Sequence, residues 1–155
     1  MAFSVTIKLD LPGADALIQK IGLDEHGEIQ RFQTQNVLRR IQKYMPRVSG
    51  AFINTTIANT SETEIISVGK QAAYLFYGKV MVNSVTGEGP GVIPGVGPRY
   101  KKGTTLKETD RDLEYNKERN PQAGPRWDLA LEAHEGDILV SDLQSYINYL
   151  ARRNK

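Results

Sequence analysis

Residues 87–98 read Gly-Glu-Gly-Pro-Gly-Val-Ile-Pro-Gly-Val-Gly-Pro, dense enough in glycine to suggest a loop that cradles phosphate. No window there has the G-x-G-x-x-G spacing, no G-K-[ST] follows, and its prolines lack the backbone N–H groups such a loop offers. A flexible or extended arm fits better. The two histidines lie among carboxylates, His26 beside Glu25 and Glu28, and His134 between Glu132 and Glu135. Helix neighbours one or two positions apart point in different directions, so neither cluster builds the shared face by which H-E-x-x-H holds zinc. Asp110, Asp112 and Glu114 alternate with Arg111, Leu113 and Tyr115, which puts three carboxylates on one side of an extended segment. That could serve a divalent cation or a metal-dependent nuclease, but in so charge-rich a stretch a solvated edge or an intersubunit ion-pair strip is commoner. There is no G-x-S-x-G elbow, and the chain has no cysteine, which excludes thiolate nucleophiles, disulfides and cysteine-held zinc. Nothing here specifies an enzyme, and no cofactor or metal is implied.

The aromatic residues are more suggestive. Tyr74, Phe76, Tyr77, Tyr100, Tyr115 and Trp127 stand at the edges of predicted elements around residues 84–124. Tyr and Trp are enriched at protein interfaces, so these six are candidate interface residues. A small domain with a long Gly/Pro-rich arm suits the clamping of a neighbour.

The elements that would position these residues can be read from periodicity. Phe3, Val5, Ile7 and Leu9 alternate with polar residues and predict an opening strand, followed by a short helix over 14–21. Asp24 is placed to cap a helix of about six turns whose apolar positions are Ile29, Phe32, Val37, Ile41 and Tyr44, and Pro46 stops it. Thr- and Ile-rich stretches at 53–57 and 64–68 suggest a strand pair. Residues 71–77 fit a short helix or a buried strand, and Val80-Met81-Val82 another strand. From 84 to 124 no strong element signal appears, which marks a functional arm or long loop. A C-terminal helix over about 126–151 carries Leu131, Ile138, Leu139, Leu143, Tyr146, Ile147 and Leu150, with Pro125 as its first residue. Gly136 and the capping-box form of Ser141-Asp142-Leu143-Gln144 suggest a kink in it. The expected fold is α+β: a small antiparallel sheet packed against two or three helices, a Gly/Pro-rich arm and a C-terminal helix, in one domain over 1–155.

Composition sets outer bounds. At 155 residues, with 39% hydrophobic and 25% charged residues, the chain resembles ordinary globular domains. No apolar stretch approaches the ~20 residues that cross a bilayer, and the first residues lack the basic and apolar regions of a secretory signal, so no membrane partner is expected. The formal charge of +2 is concentrated at 79–126, with nine basic and six acidic residues. That excess is far below the dense Lys/Arg stripe of a dedicated nucleic-acid binder.

Three stretches read in order carry a resemblance: Ile21-Gly22-Leu23-Asp24 with Gly27 and Ile29-Gln30, Tyr44-Met45-Pro46, and Tyr74-Leu75-Phe76-Tyr77-Gly78-Lys79. It continues through Asn83 with Thr86-Gly87, Asp110-Arg111-Asp112-Leu113-Glu114-Tyr115, and Ala123-Gly124-Pro125-Arg126-Trp127-Asp128. Over roughly residues 21–140 the chain resembles the minor capsid, or head-tail connector, family of siphophages infecting Gram-positive bacteria. The resemblance implies a virion subunit without a cofactor, forming a ring with copies of itself in the neck. Its neighbours would be connector and tail terminator proteins, and DNA would pass through with transient, nonspecific contact. Arg39, Arg40, Lys101 and Lys102 are the candidate DNA-channel residues, because their charges come in pairs. A non-sequence-specific nucleic-acid binding module is the alternative.

Overall fold

The computed structural model describes residues 5–6, 27–47, 50–69 and 71–153. The expected helix over 14–21, the Asp24 cap and His26 lie outside these residues, as does all of the opening strand except Val5–Thr6. The fold is α+β, with four helices and three separate two-stranded antiparallel sheets among the described residues.

Strand β1, Val5–Thr6, pairs antiparallel with β2, Ile66–Ser67. Between them in sequence, α1 spans Glu28–Ile41 and buries Ile29, Val37, Leu38 and Ile41. It is shorter than the expected six turns, with 14 residues, or about four turns. Its N-cap is Gly27, held extended at φ −70° and ψ 162°. At the other end Tyr44 and Met45 N–H groups reach back only three residues, to Ile41 and Gln42, as a tightened last turn does.

Helix α2, Ala51–Asn59, occupies the stretch expected to be a strand. Its β-branched residues are accommodated because Phe52, Ile53 and Thr56 face the core, while the Thr55 and Thr56 hydroxyls bond back to the carbonyls four residues earlier. Thr56 Oγ1 also lies 3.0 Å from Ser67 Oγ, pinning α2 to β2. Tertiary burial thus overrides local strand preference.

Helix α3, Ala72–Tyr77, ends at Gly78, and β3, Lys79–Asn83, leads away from it. Residues 84–105 form turns and a small hairpin of β4, Gly91–Ile93, and β5, Gly97–Arg99. The hairpin turns at Pro94-Gly95, with Val96 N–H bonded to Ile93 O at 3.0 Å and Gly95 at φ 76°, where a side chain would be strained. Strand β6, Leu106–Asp112, then returns antiparallel to β3, with an irregularity between Lys79 and Met81. This seven-residue strand was hidden in the sequence because most of its side chains are exposed, leaving no apolar alternation to read.

Helix α4 spans Trp127–Arg153 without a break. The expected division into two helices is absent: Gly136 lies within the helix, and Asp142 spends its carboxylate on Asn36 and Arg40 of α1 instead of on a cap. Pro125 stands before the helix, followed by Arg126 at φ 45°. Ile138 is exposed, while Trp127, Leu131, Leu139 and Leu143 are fully buried against Ile41, Met45, Phe52 and Phe76.

Candidate functional site

The segment joining β6 to α4 is built onto the helical body. Leu113 N–H bonds Gly78 O, Gly124 N–H bonds Tyr44 O, and Arg126 N–H bonds Phe76 O at 2.7 Å. Asn120 is buried, and its Nδ2 donates to both Gln42 O and Met45 O at 2.8 Å, satisfying Met45 O and adding a second donor to Gln42 O where α1 ends. The Tyr115 hydroxyl donates to Leu75 O, the carbonyl side of α3, and burial pushes its pKa up to about 12. Residues 113–126 therefore strap together the ends of α1 and α3 and the start of α4. Gly78 is where the strap and body meet: a Cβ there would lie 2.7 Å from Pro125 Cβ.

Beyond this strap projects a different kind of surface. Val85, Val92 and Val96 are 90%, 76% and 59% exposed, and Ile93 is also exposed. Arg99, Lys101 and Lys102 are exposed beside them. Asn83 fixes the turn at the base, its side-chain oxygen accepting from the N–H groups of Val85 and Thr86. A cleft at the root of the arm is lined by Tyr74, Val80, Met81, Tyr100, Lys101 and Lys102, and the Tyr100 hydroxyl donates to Met81 O at 2.7 Å.

The aromatic candidates divide accordingly. Phe76 and Trp127 are core residues, packed edge to face with centroids 4.9 Å apart and Trp127 fully buried, so neither presents a surface to a partner. Tyr115 serves the strap. Tyr74 and Tyr100 line the cleft, and Tyr77, at 58% exposure, is open to solvent.

The basic candidates divide too. Arg40 is committed to the body: its guanidinium bonds Glu135 and Asp142 at 2.7 Å each and Asn36 at 3.2 Å. Glu135 also accepts from Tyr44 at 2.7 Å and pairs with Lys43. Burial alone would raise the Glu135 pKa, but the bonds from Lys43, Tyr44 and Arg40 outweigh it and hold the carboxylate at about 2. Burial, then the bond to Glu135, pushes Tyr44 up to about 12. Arg39 stays exposed and donates to Asn36. It lines a shallow groove between α1 and α4 with Phe32, Gln35 and Tyr146, whereas Lys101 and Lys102 line the cleft of the arm. The four basic candidates therefore do not form one patch.

Asp112 of the alternating carboxylates pairs with Lys79 at 2.6 Å. No group of three His, Cys, Asp or Glu able to hold a metal occurs among the described residues. His134 stacks on Tyr44, and no helix among the described residues is long and apolar enough to cross a membrane. The exposed valines were missed in the sequence because Gly and Pro dominate their surroundings; Val-Ile and Val between paired Pro-Gly steps was the available signal. No protein-family model, curated protein or solved structure matches this chain.

Proposed function

We propose that this chain is a structural, non-catalytic subunit of the head-tail connector of a tailed bacteriophage, part of a neck ring that joins the DNA-filled capsid to the tail and lets DNA pass. Its place of action is then the virion, with copies of itself and the adjoining connector and tail proteins as partners. The observation that carries the reading is the projecting hairpin, whose Val92, Ile93 and Val96 are exposed. Exposed apolar groups of this kind are covered when a protein meets a partner. The β3–β6 ribbon, tied to the body at Gly78 by Leu113, gives that projection a fixed base, as a part presented to a neighbour requires. The family resemblance of the sequence supplies the particular assembly. In that setting transient DNA contact falls to Arg39, since Arg40 is already paired and Lys101 and Lys102 stand on the arm offered to a neighbour.

The test is direct. Mass spectrometry of purified tailed particles should detect the chain in ring-like stoichiometry, and antibody labelling should mark the junction of head and tail. Particles complete in head and tail but lacking the chain would overturn the assignment.

A further inference from the structure

The hairpin β4–β5 and the outer side of α4 are two exposed surfaces with opposite character. Val92, Ile93 and Val96 form the apolar tip of the first, with the exposed cations Arg99, Lys101 and Lys102 directly following. Between residues 84 and 105 the only acidic residue is Glu88, so the arm that carries this tip is net positive. On α4, positions 129, 132, 133, 136 and 137 share one side by helical spacing. They place the half-exposed Leu129, at 50%, beside the small residues Ala133 and Gly136 and the carboxylates of Glu132 and Asp137. Asp128, Glu135 and Asp142 of the same helix are matched by Arg126, Lys43 and Arg40, whereas Glu132 and Asp137 have no ion-pair partner among the described residues.

We propose that the basic, apolar hairpin of one copy docks on the acidic outer side of α4 in a second copy, head to tail. Val92 and Val96 cover Leu129 and Ala133, and Lys101 and Lys102 face Glu132 and Asp137. Both surfaces are exposed in the same chain, so neither covers the other within it. The two patches differ, so the contact is heterologous, and each copy offers one of each; repetition gives a closed ring when the rotation between copies closes. This inference rests on the neck-subunit reading for its closure into a ring, and on charge complementarity for the contact itself. A hairpin this small covers less area than a stable complex needs, so the pairwise contact is weak alone and strengthened by repetition.

The absence of cysteine makes disulfide trapping clean. Val96→Cys in one full-length chain and Ala133→Cys in another should cross-link several-fold more under mild oxidation than Val96→Cys mixed with Asn148→Cys, which sits farther along α4. Adding Lys101→Glu and Lys102→Glu to the first chain should suppress the product, and Glu132→Lys with Asp137→Lys in the second should restore it. Yield no better than the control pair, or indifferent to both charge reversals, would overturn the contact; circular dichroism of each variant checks that it has folded. Failure of trapping with the chain still present at the junction of particles rejects the contact and leaves the neck reading standing. Trapping that follows the charges in a chain absent from particles upholds the contact in a different assembly.

Discussion

Glu135 concentrates the electrostatics of the molecule in one side chain. It is 5% exposed and takes Arg40, Lys43 and Tyr44 as partners, so removing its charge leaves a partly buried guanidinium short of a counter-ion. Breaking such a pair from one side costs about 3 kcal/mol, and Glu135→Gln should lower the denaturation midpoint accordingly at pH 7. Because the folded carboxylate titrates near 2 instead of its ordinary 4.5, the stabilisation is complete above the higher value and is lost as pH falls through this interval. Urea unfolding between pH 6 and 2 should show that decline in the native chain, and Glu135→Gln should flatten it. An unchanged acid limb in the variant would assign the acid sensitivity to other carboxylates. Gly78 is the backbone counterpart: at φ 76°, with Pro125 against its Cα, Gly78→Ala should cost about 2 kcal/mol or more. A variant as stable as the native chain in thermal unfolding would show that strap and body can separate there freely.

At the scale of elements, the strap over residues 113–126 is the part whose mechanics can be tested by one substitution. Asn120→Ala removes the donors to Gln42 O and Met45 O, leaving Met45 O unpaired and Gln42 O with only the Met45 N–H, a loss of about 2 kcal/mol. Hydrogen exchange should quicken at 113–126 and at the end of α1, with the β4–β5 hairpin unaffected. Acceleration spread evenly over the chain would mean that the strap has no local stability of its own. Helix α2 shows the opposite dependence, a segment of Thr and Ile that is helical because Phe52, Ile53 and Thr56 are buried and Thr56 is tied to Ser67. Strand β6 is likewise defined by its partner β3, since its own pattern is charged and largely exposed.

For the whole molecule, the arrangement is a helical body of α1, α2, α3 and α4 around Trp127, from which a two-stranded ribbon and a small hairpin extend. Limited trypsin digestion of the isolated chain should therefore cut first at Arg99, Lys101 and Lys102, before Arg126 or the basic residues of α1. In assembled particles those three sites should be protected. Equal cutting in both states would remove the hairpin from any interface. Salt-sensitive DNA binding by the isolated chain should be weak, because the exposed cations are divided between a groove on the body and a cleft on the arm. Tight binding at physiological salt would favour the nucleic-acid module instead.

The sequence by itself determined the elements whose one face is buried and whose ends are marked by Gly or Pro. The apolar repeats of α1 and α4 and the Val80-Met81-Val82 strand were legible for that reason, while residues 71–77 fitted a helix or a strand until packing made them α3. The candidate site was legible in outline only: the Gly/Pro-rich stretch pointed to a projection, but the aromatic residues chosen with it included Phe76 and Trp127, which the core absorbs. Tertiary structure alone decided which aromatics are buried, that 51–59 is helical, and that Leu106–Asp112 is a strand. It also decided that Arg40 is spent on Glu135 and Asp142, about a hundred positions away along the chain. Periodicity records burial within a segment; pairing between segments distant in sequence leaves no such local trace, because the partner's position enters the energy only once the chain has folded.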